Sequence, residues 1–216
     1  MIQFGVHPRE AIATNMALLV VINIGSSSGF HGEDLGTTTR VVRLSIVTAL
    51  ASLGGALLLL VVPTTALRLV VPCAMVGMLL FLLFNPNRPQ ERATLSMPRL
   101  KAGYATVGLL GVYGGFLSGG YATLLVAAFT YFFAYPFLGA IALARFLNIV
   151  SSVAAVVVFT WMGTVDWPLV LRLAGFAFAG AFLGARFARR LPEIWLRRIF
   201  IVAVAAMAVK SLLVDL

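Results

Sequence analysis

The chain has 216 residues, 61% of them apolar and 11% charged, with a mean hydropathy of +1.03, whereas charged residues alone make up about a quarter of an ordinary soluble domain. Seven acids and sixteen Lys/Arg are too few to cover a soluble surface, which excludes a soluble fold, a disordered chain and, with Cys73 as the single cysteine, a disulfide scaffold. The net charge of +9 points to nucleic acid only on the basic face of a soluble domain; in a membrane chain it reports which loops stay in the cytoplasm.

A bilayer core of about 30 Å takes roughly 20 apolar residues as a helix, and six runs of that kind follow one another: Ala11 to Phe30, Val41 to Val62, Ala66 to Phe84, Gly139 to Trp161, Pro168 to Ala188 and Ile194 to Val214. The fold expected is all-α, a polytopic helical membrane protein. A seventh apolar stretch, Ala102 to Ala134, would make a helix of about 50 Å, too long for one crossing at modest tilt. It carries Gly114, Gly115, Ser118, Gly119 and Gly120, so a break is expected there, either as a pair of short spans or as a re-entrant hairpin. Between the third span and this stretch, residues 85–101 hold three prolines and four basic residues and read as a solvated linker dividing the chain.

Shifting the chain against itself by 129 residues pairs Ala11-Ile12-Ala13 with Ala140-Ile141-Ala142, Arg43-Leu44 with Arg172-Leu173, Gly55-Ala56 with Gly184-Ala185 and Pro63 with Pro192. Roughly 17 of 77 positions coincide, where composition alone gives about a tenth. The reading is a duplication: residues 1–84 form a first repeat, 85–101 a basic cytoplasmic linker and 102–216 a second repeat. At this offset the broken stretch has no counterpart in the first repeat, so that repeat is expected to be incomplete at its N-terminus, its opening segment either lost or encoded upstream of Met1.

Basic loops mark the cytoplasmic side. The strongest clusters, Arg88, Arg92, Arg99 and Lys101, then Arg186, Arg189, Arg190, Arg197 and Arg198, can share that side only if the stretch between them turns back. The two repeats are then inverted, the arrangement in which secondary transporters place their site at mid-membrane between the halves.

The motifs GVYGGFLSGG (Gly111 to Gly120), ARFLNIVSS (Ala144 to Ser152), MGTVDW (Met162 to Trp167) and GAFLGARFARRLP (Gly180 to Pro192), with HPREAIATN (His7 to Asn15) and LGGALLLLVVP (Leu53 to Pro63) before them, resemble in order and spacing the sulfite exporter TauE/SafE family. The resemblance covers essentially the whole chain. It implies a multi-span permease of the bacterial inner membrane for sulfite, sulfonates and related organic or sulfur-containing anions. The chain departs from the family pattern in its shortened glycine cluster at Gly119 and Gly120 and in the missing first hairpin.

Candidate site residues are the polar groups inside spans, where they are costly and mark pathways. Arg145, Asn148 and Ser152 fall on one helical face, and a guanidinium suits sulfonate or carboxylate oxygens; Arg145 read alone also fits a side chain snorkelling to the cytoplasmic interface. Thr14, Asn15, Asn23 and Ser26 to Ser28 give the first span a polar side, with Asn15 and Ser26 at nearly the same angle, which fits either substrate or helix–helix hydrogen bonding. Ser118, Gly119 and Gly120 interrupt the backbone, so the N–H groups opening the next half-helix are expected to face an anion; close helix packing is the other reading of these glycines.

No catalytic residues, metal ligands or cofactors are expected. All seven acids (Glu10, Glu33, Asp34, Glu91, Asp166, Glu193 and Asp215) lie in loops or at span ends, and no histidine follows His31 to serve Ser118 as a base. The expected partners are the lipid bilayer and a small anionic substrate, not nucleic acid, with a homo-oligomer left open. A non-transporting scaffold, or an incomplete transporter needing a partner, is the alternative to the permease.

Overall fold

The computed structural model describes residues 8–27, 35–63, 66, 96–188 and 202. Six helices are described: α1 (Pro8–Ser27), α2 (Thr38–Val61), α3 (Met97–Phe116), α4 (Tyr121–Phe133), α5 (Phe137–Trp161) and α6 (Trp167–Ala188). No strand occurs among the described residues. Four of the helices, α1, α2, α5 and α6, are long and apolar enough to cross a bilayer, and they coincide with four of the six expected spans. The expected spans at Ala66 to Phe84 and Ile194 to Val214 lie outside the described residues, apart from Ala66 and Val202.

The helix ends follow local chemistry. Ser96 precedes α3, which has a proline in its first turn, where a missing N–H costs nothing. The motif MGTVDW proves to be a helix–helix connector: Gly163, at φ +67, ends α5, with Thr164 N–H donating back to Phe159. Asp166 then opens α6 by accepting the Leu169 N–H at 3.0 Å through Oδ1, the usual role of Asp before a first turn.

Contacts between named residues give the directions. Gly111 abuts Ala51 and Thr48, and Gly115 abuts Ser52, so α2 and α3 run parallel with backbones nearly touching. Gly114 meets Tyr121 and Gly103 meets Phe132 and Phe133, so α3 and α4 form an antiparallel hairpin. Asn148 bonds Asn23 while the backbone just beyond α5 bonds Thr14, so α1 and α5 cross antiparallel. Gly25 abuts Phe178, and Ala17 and Leu18 pack with Val170, so α6 runs parallel to α1.

One end of the bundle thus collects the starts of α2, α3 and α5 with the ends of α1, α4 and α6. Arg40, Arg43, Arg99, Lys101 and Arg186 lie there, with no acid among the described residues at that end. The opposite end holds Arg9, Glu10, Asp166 and Arg172. The described members of both basic clusters, Arg99 and Lys101 with Arg186, share the first of these ends. Arg99 bonds the Tyr131 carbonyl and stands 5.3 Å from the Tyr131 ring centroid, tying the two ends of the hairpin together at this face.

The stretch from Ala102 to Ala134 is therefore not one tilted helix. Its tip, residues 117–120, lies level with Gly55 of α2, since Gly55 abuts Val112 and Phe116; α2 continues to Val61, about 9 Å further at 1.5 Å per residue. The hairpin enters and leaves at the basic end and stops short of the other. The outward surface carries the apolar residues a bilayer requires, among them Leu109, Val157, Trp161, Leu171 and Phe176.

Candidate functional site

Polar side chains converge at mid-depth, where α5 crosses α1, α2 and the hairpin. On α5, Asn148, Ser151 and Ser152 occupy one face and are all buried. Asn148 Nδ2 donates to Asn23 Oδ1 at 3.3 Å. That single bond leaves Asn23 Nδ2 and Asn148 Oδ1 without partners, and the Ser152 hydroxyl has none either. A carboxamide pair joined by one bond keeps a free donor and a free acceptor whichever way the two amides are turned, and buried polar groups left in this state are rare enough to call for an account. Arg145, half-buried, lies one turn from Asn148 toward the basic end of α5.

On the α2 side of the same helix, Ser52 lies 2.7 Å from Ser151 Oγ and 3.0 Å from the Gly111 carbonyl. A hydroxyl has one proton, so Ser52 donates to the carbonyl and Ser151 donates to Ser52. Tyr121, wholly buried at the start of α4, brings its hydroxyl alongside Thr48 and Ser151 without closing a bond to either. The glycines make this possible: a Cβ at Gly114 would stand 3.0 Å from both Ser151 Oγ and the Tyr121 ring, so a larger residue would occupy the space in which the hydroxyls meet.

The hairpin tip buries Ser118 while leaving Gly119 exposed. Ser118 is 7% exposed, sits in the left-handed region at φ +58 and has an unpartnered hydroxyl. Gly120 follows at φ +73. Tyr113 holds the turn by donating to the Gly119 carbonyl at 2.5 Å.

The structure thus brings Arg145, Asn148 and Ser152 onto one element beside Asn23, with Ser118, Gly119 and Gly120 in the neighbouring turn. Two other candidates lie elsewhere. Thr14 is at the far end of α1, accepting the Asp166 N–H at 3.0 Å, a connector role. Asn15 is exposed, although Ser26, at nearly the same angle, is buried beside Gly25, which abuts Phe178 of α6. Sequence reasoning missed Thr48, Ser52, Ser151 and Tyr121. Thr48 and Ser52, four residues apart on α2, carried the signal, but a small hydroxyl residue in an apolar span reads equally well as packing.

An apolar groove of about 520 Å³, lined by Val20, Val153, Val157, Trp161 and Trp167 among others, lies between α1, α5 and α6 and offers no polar recognition. Among the described residues no group of His, Cys, Asp or Glu has the makings of a metal site.

Comparison with known proteins agrees with this picture of a helical membrane protein. The chain is 24% identical over 209 residues to the probable membrane transporter protein ORF9 of a Sinorhizobium species, covering 96% of this chain and 80% of the relative. It is 26% identical over 208 residues to the probable membrane transporter protein YfcA of Escherichia coli K12, covering 96% of this chain and 77% of that one. No solved structure matches. Residues 1–211 match the family described as sulfite exporter TauE/SafE, and the chain belongs to that family of membrane transporters.

Proposed function

We propose that the protein is a secondary permease of the bacterial inner membrane for small organic or sulfur-containing anions of the sulfite or sulfonate type, working by alternating access between two inverted repeats. The observation that carries this reading is the crossing of α1 and α5. These helices correspond under the 129-residue repeat, they run antiparallel as inverted repeats require, and they meet through Asn23 and Asn148 with a donor, an acceptor and the Ser152 hydroxyl unspent.

An oxyanion entering here meets the Asn23 Nδ2 protons and the Ser152 O–H, both neutral donors. Neutral donors bind a desolvated anion without holding it as a full counter-charge would, which suits a site that must also release. Arg145 supplies positive potential one turn away on the basic side, drawing the anion inward. Asn148 Oδ1 is an acceptor and fits a protonated or hydroxyl oxygen of the substrate. The site works without a carboxylate, since both acids among the described residues, Glu10 and Asp166, lie at the opposite end.

The test is flux of labelled sulfite, a sulfonate and a carboxylate in proteoliposomes holding the parent or Arg145→Ala. Saturable flux of one of these anions, slowed in the variant, is expected. Flux of none of them refutes the permease reading in favour of a non-transporting membrane component, and parental flux in Arg145→Ala removes Arg145 from the pathway.

A further inference from the structure

The broken turn between α3 and α4 was expected to offer N–H groups to an anion. Its hydrogen bonds run the other way. Tyr121 N–H is taken by the Ser118 carbonyl, and Thr123 and Leu124 N–H both go to the Gly120 carbonyl, so the first turn of α4 is largely satisfied by the turn itself. Among the described residues only the Gly120 and Ala122 N–H groups find no acceptor here.

The end of α3 is in the opposite state. Leu117 and Ser118 N–H both converge on the Tyr113 carbonyl, and Gly119 N–H folds back to Leu117. None of the backbone hydrogen bonds made by residues 117–124 goes to the carbonyls of Gly114, Gly115 or Phe116, three buried residues. A helix C-terminus with uncapped carbonyls carries negative partial charge, and burying such groups without partners is costly. The Ser118 hydroxyl, two residues on, is a fourth buried oxygen with no partner.

The geometry points to a binding site for a small monovalent cation, sodium, at the C-terminal end of α3, held by the Gly114, Gly115 and Phe116 carbonyls and Ser118 Oγ. The donor set is all oxygen and all neutral. Divalent ions draw on carboxylate charge and number for affinity, and none is supplied among the described residues of this region; a half-helix end with freed carbonyls is the kind of place where transporters hold a coupling ion. The left-handed φ at Ser118 and the Tyr113 bond to Gly119 fix the turn so that the oxygens stay in place without the ion. Binding of the cation needs no assumption about the anion; that its gradient drives anion movement rests on the permease reading.

The experiment is equilibrium binding of radiolabelled sodium to the purified full chain in nanodiscs, with no anion substrate present, competed by unlabelled sodium, lithium, potassium and choline chlorides at equal ionic strength. Saturable binding displaced by sodium and lithium but not by potassium or choline is expected. Ser118→Gly removes the hydroxyl while easing the left-handed backbone, so it is expected to fold and to weaken binding by about tenfold, the low end of what loss of a supporting contact does to metal affinity. Absence of specific sodium binding, with water filling the turn instead, overturns the proposal, as does unchanged affinity in a monodisperse Ser118→Gly protein. Anion flux without sodium binding would refute this site and leave the permease standing; sodium binding without flux of any tested anion would do the reverse.

Discussion

Replacing Gly115 by Ala tests whether α2 and α3 are held backbone to backbone. A Cβ at Gly115 would lie 2.7 Å from the Ser52 carbonyl carbon and from its Cα, about 1 Å inside the 3.5–4.0 Å at which carbons ordinarily meet. The obstructing atoms are main chain of a packed helix, so the helices must part, at a cost near the upper end of the range for overpacking, about 3 kcal/mol. Parting them also strains the Ser52 bonds to Gly111 and Ser151, worth roughly 0.6 kcal/mol each by membrane-protein averages. The gain in helix propensity, about 1 kcal/mol, offsets part of this and leaves a net loss of about 3 kcal/mol. For a chain of this size that corresponds to a midpoint about 6–12 °C lower, read as loss of the monodisperse size-exclusion peak after heating in detergent. Gly54→Ala on the same α2 helix is the control, because nothing lies within 4 Å of its Cβ position. Equal midpoints for Gly115→Ala and Gly54→Ala would refute the close parallel contact.

Three further outcomes follow from the geometry. Asn23→Leu alone leaves the buried Asn148 carboxamide without its partner and lowers stability by about 1–3 kcal/mol, whereas Asn23→Leu with Asn148→Leu recovers most of that loss while abolishing anion flux; thermal midpoints and proteoliposome uptake on the same preparations check both halves. Gly120→Ala forces an L-residue to φ +73 and destabilises by about 1–2 kcal/mol, seen in the same heating assay. In a Cys73→Ser background, Lys101→Cys and Tyr131→Cys, at the two ends of the hairpin, label with an impermeant thiol reagent only after the inner membrane of spheroplasts is opened, while Asp166→Cys labels in intact spheroplasts. Labelling of Lys101→Cys and Tyr131→Cys from opposite sides would overturn the hairpin.

The sequence made the coarse layout legible because its signals are local. Twenty apolar residues between polar ends make a span, and a glycine density from Gly114 to Gly120 inside a stretch too long for one crossing signals a break. The sharing of one end by Arg99, Lys101 and Arg186 followed from counting charges. What stayed hidden depends on which helix lies beside which. Ser52 and Ser151 meet across 99 residues, and neither says so alone; Tyr121 reads as a bilayer aromatic until Gly114 and Thr48 are seen beside it. Asn15 shows the opposite failure, since angular position on a helix gives direction but not what waits there. The turn at Ser118 was read correctly as a break; helix ends offer donors on one side and acceptors on the other, and only the hydrogen bonds of Leu117 to Leu124 show which of these are spent.

A hairpin whose two ends share the basic face has a consequence for how the protein is made. Neither Arg99 nor Lys101 at one end, nor the turn at Ala134 to Pro136 at the other, ever has to be carried through lipid, so this segment needs no translocation of a charged flank. It can seat from the basic face, between α2 and α5. The element that carries the broken turn is thus packed between the helices that precede and follow it in the chain.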